Sequence, residues 1–133
     1  MNALKYLFFF FFFCYLASCK DNPYQQGHRL YDYYCANCHM EDGTGLKGIM
    51  PPLAGADYVE EDPLRMACII RYGMEGRIEV NGITYDEPMA GIRELSDFEI
   101  TNIINYINHA WDNDYGFVRI DEVRERLDEC VGN

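Results

Sequence analysis

Positive charge is scarce in this sequence. Its 133 residues include 11 Lys and Arg against 22 Asp and Glu, which gives a formal net charge of −11 at pH 7. A surface this acidic repels phosphate backbones, so the composition argues against a nucleic-acid-binding protein. Hydrophobic residues make up 49% of the chain, which is enough for a folded core and excludes wholesale disorder.

The sequence also has no internal repeat and, after its N-terminus, no second shift in composition. A length of 133 residues is close to the usual size of one domain. We therefore expect a single folded domain over residues 27–133, with a short helical extension at its C-terminal end.

Long hydrophobic runs are missing except near the N-terminus, where residues 7–17 carry no charge. As a helix these residues span only about half of a ~30 Å hydrocarbon core, so an export signal is favoured over a transmembrane helix. The run ends in Leu-Ala-Ser-Cys at residues 16–19, which resembles the lipobox of bacterial lipoproteins. The resemblance implies a signal peptide over residues 1–18, acylation of Cys19, and a membrane tether over residues 19–26.

Local patterns predict a mainly α protein. Asp62 followed by Pro63 indicates a helix start, and Gly73 indicates the end of that helix. Ser96 and Glu99 have the spacing of a capping box, which predicts the start of a longer helix. The expected helices cover residues 27–34, residues 64–72, the segment from Ser96 to about Trp111, and a short stretch capped by Asp121.

One small β-hairpin is expected within residues 77–85, because Asn81-Gly82 lies at the centre of an alternating segment. The remaining loops are long for a self-sufficient core, which is expected if they wrap a large ligand. On the two C-terminal helices, the residues expected to face inward are Phe98, Ile103, Tyr106, Ile107, Ala110, Val123, Leu127 and Cys130.

The most specific motif is Cys-Ala-Asn-Cys-His at residues 35–39, the C-x-x-C-H sequence of c-type haem attachment. Cys35 and Cys38 would form thioethers with the two vinyl groups of one haem, and His39 would be the proximal iron ligand. A zinc site would need a second ligand pair, and the sequence has no other C-x-x-C and no H-x-x-x-H. A thioredoxin-like dithiol would follow a strand in a βαβ pattern, and a structural disulfide gives His39 no role.

Over residues 27–111 the chain resembles the class I monohaem c-type cytochromes of bacteria. Gly27 and Tyr31 precede the first cysteine of the motif by 8 and 4 residues, as the glycine and aromatic residue of the family's N-terminal helix do. Tyr106 matches the aromatic residue of the family's C-terminal helix, and the resemblance places Gly27 where these two helices cross. It implies the class I cytochrome c fold, in which helices and long loops surround one covalently bound haem c.

The family's P-x-L loop is matched by Pro51 and Leu53, with the proline 12 residues after His39. There the proline carbonyl accepts a hydrogen bond from the ligand imidazole, which fixes the ring and raises its basicity. The resemblance therefore implies that Cys35 and Cys38 hold the haem covalently and that Pro51 and Leu53 form part of its pocket.

A methionine is the sixth iron ligand that the family implies, and two loop methionines are candidates. Met50 directly precedes the P-x-L loop, on the histidine side. Met89 precedes the capped helix by seven residues, where the family places its ligand, so we expect His39 and Met89 as the axial pair. Met66 and Met74 lie on or near a helix and are expected to fill the core.

Four further side chains have candidate roles. Tyr85 and Arg77 are candidate partners of the haem propionates, with solvated side chains as the alternative. Cys68 and Cys130 fall on the inward faces of predicted helices. In an oxidising compartment they are expected to form a disulfide, with two buried thiols as the alternative.

An iron with both axial positions filled has no open site for a substrate, so the sequence predicts a one-electron carrier and not an enzyme. Two alternatives remain: a peroxidase-like or gas-sensing haem protein with a labile sixth ligand, and a subunit held permanently in a larger membrane complex. The lipobox resemblance implies an exported protein, anchored in the bilayer through acylated Cys19 and facing the bacterial periplasm. The expected partner is a membrane oxidoreductase or terminal oxidase.

Overall fold

The computed structural model describes residues 23–131. The predicted signal peptide and residues 19–22 of the predicted tether, including the acylation site Cys19, lie outside the described residues, as do residues 132–133. About half of the described chain is helical, and the rest consists of long loops and two small antiparallel strand pairs, as expected for a mainly α protein. Between residues 23 and 131, no helix combines the length and the hydropathy needed to cross a membrane.

Six helices and four short strands make up this part of the chain. The helices are α1 (Gln25–Tyr34), α2 (Ala36–His39), α3 (Asp57–Glu61), α4 (Arg65–Tyr72), α5 (Asp97–His109) and α6 (Ile120–Val131). The strands are β1 (Gly73–Met74), β2 (Ile78–Val80), β3 (Ile83–Tyr85) and β4 (Met89–Ala90). Helices α2 and α3 were not predicted, because helices of 4 and 5 residues are too short to show a periodic pattern.

Helices α1 and α5 cross at Gly27, as the sequence predicts. A methyl group at Gly27 would overlap the carbonyl oxygen of Asn102 and would lie 2.7 Å from the Cβ atom of Tyr106. One turn later, Tyr31 is fully buried, and its ring centroid lies 5.3 Å from that of Tyr106. Helix α1 begins at Gln25, so the last two residues of the predicted tether are helical.

The predicted capping box starts α5. The Ser96 hydroxyl accepts a hydrogen bond from the Glu99 N–H, and the Glu99 carboxylate accepts one from the Ser96 N–H. The inward face was predicted wrongly at Phe98, which is 52% exposed, whereas Ile100 and Ile104 are fully buried. Helix α5 packs against α1, α4 and α6, so its buried face is wider than a single apolar stripe and includes Ile100 and Ile104, whereas Phe98 lies in the exposed first turn.

Helix α4 begins at Arg65, one residue later than predicted, after a turn in which the Arg65 N–H donates to the carbonyl oxygen of Asp62 at 3.0 Å. The Asp62 carboxylate also accepts a hydrogen bond of 2.8 Å from the guanidinium of Arg126 in α6. Asp62 therefore links the start of α4 to a neighbouring helix. Gly73 ends α4 with φ of 83°, as predicted.

Helix α6 packs on α4 and α5, with Val123 and Leu127 buried as predicted. Asp121 is not the N-cap of this helix, because it lies in the first turn, where its carboxylate pairs with Arg119. These contacts place the C-terminal extension against the core of the domain.

A disulfide joins Cys68 of α4 to Cys130 of α6 in the structure, with their Cα atoms 5.9 Å apart. This separation lies within the usual range for a disulfide. The bond links the C-terminal extension to a helix of the central domain.

The predicted hairpin is formed by β2 and β3, with both turn residues in the left-handed region. Asn81 has φ of 52° and Gly82 of 73°, as a type I′ turn requires. The second pair, β1 with β4, places Gly73 opposite Ala90 and Met74 opposite Met89. Strands of two residues carry no alternating pattern, so this pair was not predicted.

Candidate functional site

The C-x-x-C-H motif lies at the junction of α1 and α2. Cys35 is the C-cap of α1, and its carbonyl oxygen accepts hydrogen bonds from the N–H groups of Cys38 (3.1 Å) and His39 (2.9 Å). Cys35 is buried, Cys38 is exposed, and their sulfur atoms are not bonded to each other. The turn therefore brings two thiols and one imidazole to the same wall of a cleft.

The environment of Cys35 keeps its thiol protonated. Burial, assisted by the charge of the nearby Cys38, raises the pKa of the Cys35 thiol to about 12. Thiol–disulfide exchange uses the thiolate, so this environment disfavours a redox-active dithiol. Among the described residues, no group of three or more His, Cys, Asp or Glu side chains is arranged to hold a metal ion.

His39 is oriented by the P-x-L loop. Its Nδ1 atom lies 3.0 Å from the carbonyl oxygen of Pro51, and a carbonyl oxygen can only accept, so Nδ1 carries the proton. Burial lowers the pKa of His39 and so favours the neutral imidazole. The hydrogen bond to Pro51 has the opposite and smaller effect on this pKa. Nε2 is therefore the nitrogen whose lone pair is available to iron.

The position of Pro51 depends on a tight loop after His39. The N–H of Gly45 donates to the carbonyl oxygen of His39 at 2.9 Å, and Leu46 and Met50 close the loop with paired backbone hydrogen bonds of 2.8 Å. A methyl group at Gly45 would lie 2.5 Å from the carbonyl oxygens of Met50 and Pro51. Only a glycine fits this approach, and it also supplies φ of 62°.

The cleft consists of two adjoining parts that share six lining residues. The inner part is almost wholly apolar, and the outer part has a partly polar lining. Leu53, Tyr58 and Met66 line the inner part, and Met50 and Tyr85 line the outer part. The shared residues are Cys35, His39, Pro51, Met74, Ile78 and Met89.

Most residues predicted for the site meet in this cleft: Cys35, Cys38, His39, Pro51, Leu53, Tyr85 and Met89. Arg77 is not among the described lining residues. Its side chain is 74% exposed, and its guanidinium lies 3.8 Å from the Asp86 carboxylate. His28 and His109 are also absent from the described lining of the cleft. His28 lies 3.4 Å from the carboxylate of Asp32, and the ring of His109 is hydrogen-bonded to the carbonyl oxygen of Asn105.

Met74, like Met66, lines the cleft although the sequence predicts it in the core. It lies directly opposite Met89 in the β1–β4 pair, and its sulfur accepts a hydrogen bond of 3.9 Å from the Tyr58 hydroxyl. A thioether on a two-residue strand after a helix has no sequence signal that separates it from core packing. The structure thus places two thioethers side by side in the cleft.

This set of residues fits a covalently bound haem. The cleft combines a large apolar volume with two unbonded cysteines, a histidine whose Nε2 is available, and thioether sulfurs. Cys35 and Cys38 would hold the macrocycle, and His39 with one methionine would bind the iron.

Comparison with known proteins finds similarity in the part of the chain that builds this cleft. The model of the cytochrome c family matches residues 24–111. Cytochrome c-552 of Thermus thermophilus is 38% identical over 81 residues, which cover 58% of this chain and 62% of that protein.

Two further relatives are parts of larger assemblies by name. The cytochrome c subunit of a quinone alcohol dehydrogenase from Gluconobacter oxydans is 35% identical over 97 residues, 71% of this chain and 20% of the relative. The fructose dehydrogenase cytochrome subunit of Gluconobacter japonicus is 29% identical over 103 residues, 74% of this chain and 21% of the relative. The chain thus spans less than two thirds of the length of each of these relatives.

Proposed function

Because this chain belongs to the cytochrome c family, it binds haem c covalently and takes part in electron transfer, and we propose that it works as a one-electron carrier tethered to a membrane. The carrier exchanges electrons with an oxidoreductase in the same membrane. The observation that supports this most directly is the convergence of Cys35, Cys38, His39 and Met89 on one apolar cleft.

The residues of the cleft divide the work of electron transfer among them. When bound, the haem supplies an iron that gains or loses a single electron. Cys35 and Cys38 would hold the macrocycle, and His39 would offer the iron a nitrogen whose orientation is held by Pro51. Met89 would offer its thioether sulfur, and methionine together with histidine would raise the reduction potential relative to other ligand sets and leave no position for a substrate. The apolar lining keeps water away, which limits solvent reorganisation when the charge of the site changes.

A short tether limits where the domain can act. If Cys19 carries lipid, only residues 20–24 separate it from α1, which begins at Gln25. Fully extended, these five residues span at most about 18 Å. The haem domain then stays close to the bilayer, and a partner embedded in the same membrane is within reach.

The proposed partner is a membrane oxidoreductase or a terminal oxidase with basic residues around its electron entry site. The net charge of −11 would steer this chain towards such a surface and speed encounter at low salt. Names of relatives also support an oxidoreductase partner, because two of them are cytochrome subunits of dehydrogenases.

Permanent assembly is the second candidate, since the 35% identity to a dehydrogenase subunit favours a cytochrome held in a complex. The carrier and the permanent subunit differ in what mild detergent extracts from the membrane. A tethered carrier is extracted by mild detergent as a single haem protein, whereas a subunit co-purifies with its dehydrogenase in fixed stoichiometry.

The test of the carrier proposal uses the full-length haem protein in native membranes. Mass spectrometry should find lipid on Cys19, and a potentiometric titration should follow a single one-electron transition. Membrane respiration should reduce and reoxidise the haem at the rate of turnover. A haem that stays in one oxidation state during respiration, or that binds peroxide in place of cycling, would overturn the proposal.

A further inference from the structure

Met89 is presented to the cleft by a strand pair. It lies in β4, opposite Met74 of β1, and β1 directly follows the C-terminal end of α4. The position of its backbone therefore depends on how β4 lies against the end of that helix.

The first close contact is at Gly73. A methyl group there would overlap the carbonyl oxygen of Met89 and would lie 2.7 Å from the backbone nitrogen of Gly91. Real Cβ atoms do not approach other atoms this closely, so a side chain at Gly73 would push β4 away. Gly73 also has φ of 83°, which adds backbone strain to any substitution.

The second close contact is at Gly91, two residues after Met89. A methyl group at Gly91 would lie 2.5 Å from the carbonyl carbon of Tyr72 and 2.7 Å from the carbonyl oxygen of Arg71. The next residue, Ile92, donates its N–H to the carbonyl of Ile70 at 2.8 Å. Gly91 does not have a positive φ, so its substitution acts through steric overlap alone.

We propose that Gly73 and Gly91 are positioning residues for the sixth iron ligand. They let the segment that carries Met89 lie directly on the end of α4, which fixes the distance between the thioether sulfur and the iron. This inference rests on the proposed function, because it takes Met89 as the ligand. Metal–ligand bonds tolerate displacements of only about 0.2 Å, whereas an added methyl group forces a larger shift.

Gly116 provides a matched control in the loop between α5 and α6, away from the cleft. It has φ of 83°, equal to that of Gly73, but a methyl group there would meet no atom within 4 Å. Gly116→Ala therefore introduces the backbone strain without the steric overlap, and Gly91→Ala introduces the overlap without the strain.

The experiment compares full-length haem proteins: wild type, Gly73→Ala, Gly91→Ala, Gly116→Ala and Met89→Ala. Two readouts report the sixth ligand: the weak long-wavelength charge-transfer band of methionine-ligated ferric haem, and carbon monoxide binding to the ferrous protein. Gly73→Ala and Gly91→Ala should lose most of the band and bind carbon monoxide at least about tenfold more tightly, a change of about 1.4 kcal/mol. Gly116→Ala should keep the band and the wild-type affinity.

The outcomes separate this inference from the proposed function. If Met89→Ala loses the band while Gly91→Ala keeps both the band and the wild-type affinity, the positioning role is wrong and the ligand assignment stands. If wild type lacks the band, or Met89→Ala retains it, the ligand itself is wrong. Equal losses in Gly116→Ala and Gly73→Ala would assign the effect to backbone strain and overturn the steric argument. If Gly73→Ala fails to accumulate, the band and the carbon monoxide affinity of Gly91→Ala decide whether the positioning role is correct.

Discussion

The Nδ1 atom of His39 donates a hydrogen bond of 3.0 Å to the carbonyl oxygen of Pro51. Because the acceptor is a backbone atom, its position is set by the loop that carries it, and that loop passes close to Gly45. The electron density of the ligand imidazole is thus coupled to the packing of a glycine six residues away from it in the sequence.

Gly45→Ala should raise the reduction potential of the haem. The added methyl group would lie 2.5 Å from the Pro51 carbonyl oxygen and displace it, which weakens the hydrogen bond from His39. A less basic imidazole stabilises ferric iron less. If the bond is worth about 0.5–1.5 kcal/mol, the potential rises by about 20–60 mV, measured by potentiometric titration.

Gly48→Ala is the control for that variant. Gly48 lies in the same loop with φ of 78°, but a methyl group there would meet no atom within 4 Å. Its potential should stay at the wild-type value. An equal rise in both variants would mean that loop strain, and not the His39–Pro51 bond, controls the potential.

Met89→Ala should leave the haem attached through Cys35 and Cys38 but open the iron to carbon monoxide or water. The expected result is a normal pyridine haemochrome spectrum together with rapid carbon monoxide binding to the ferrous protein. Met74→Leu and Met50→Leu keep the apolar volume of the other thioethers in the cleft and should behave like wild type.

The same series identifies the ligand if Met89 is not it. Carbon monoxide binding that appears in Met50→Leu or Met74→Leu, and not in Met89→Ala, would transfer the role to that residue. His39→Ala should be more severe than any of these, since the iron loses its proximal nitrogen and the P-x-L loop loses its hydrogen bond to the haem site.

Features encoded by a few adjacent residues could be predicted from the sequence. The C-x-x-C-H motif, the Ser96–Glu99 capping box and the Asn81-Gly82 turn each involve residues at most four apart, and local chemistry determines their structure. The resemblance to class I c-type cytochromes predicted two further features, the helix crossing at Gly27 and the hydrogen bond between His39 and Pro51.

Features that depend on distant partners could not be predicted. Met74 enters the cleft because β1 pairs with β4 across an intervening hairpin, and two-residue strands leave no pattern to read. Asp62 bonds to Arg126, which is 64 residues away. Ile100 and Ile104 are buried because α5 packs against three helices, whose arrangement is a property of the whole fold, whereas Phe98 in the first turn of α5 is exposed.

The Cys68–Cys130 bond should be present in the mature protein. With the haem bound to Cys35 and Cys38, alkylation of the denatured protein without reductant should add no mass, and reduction followed by alkylation should add two groups. Two alkylated thiols without reductant would contradict the disulfide.

Loss of that bond should reduce stability without altering the haem ligands. Closing a loop with a sequence separation of 62 stabilises by about 4 kcal/mol in the chain-entropy model. The double variant Cys68→Ser, Cys130→Ser should therefore unfold at a lower denaturant concentration, while its absorption spectrum stays that of wild type. An unchanged midpoint would show that the contacts of α6 hold the extension without the bond.

Electron delivery should depend more on whether the domain is tethered to the membrane than on how long the tether is. A flexible spacer inserted between residues 22 and 23 lengthens the tether before α1 begins at Gln25 and leaves that helix intact. Because the domain stays attached to the same bilayer, its local concentration near an embedded partner falls only modestly with linker length. Membrane respiration through the haem should therefore survive the spacer.

Release of the domain is the contrasting change. Exchanging residues 1–19 for a cleavable, non-lipidated export signal removes Cys19 and frees the haem domain, whose surface is otherwise unchanged. Respiration should then fall sharply at the native protein concentration, and the loss should grow with added salt, because only charge attraction still brings the acidic domain to its partner. Undiminished respiration from the released domain would show that tethering is incidental. A loss in the spacer variant as large as that in the released one would show that the partner requires the domain at a fixed distance, as in a permanent complex.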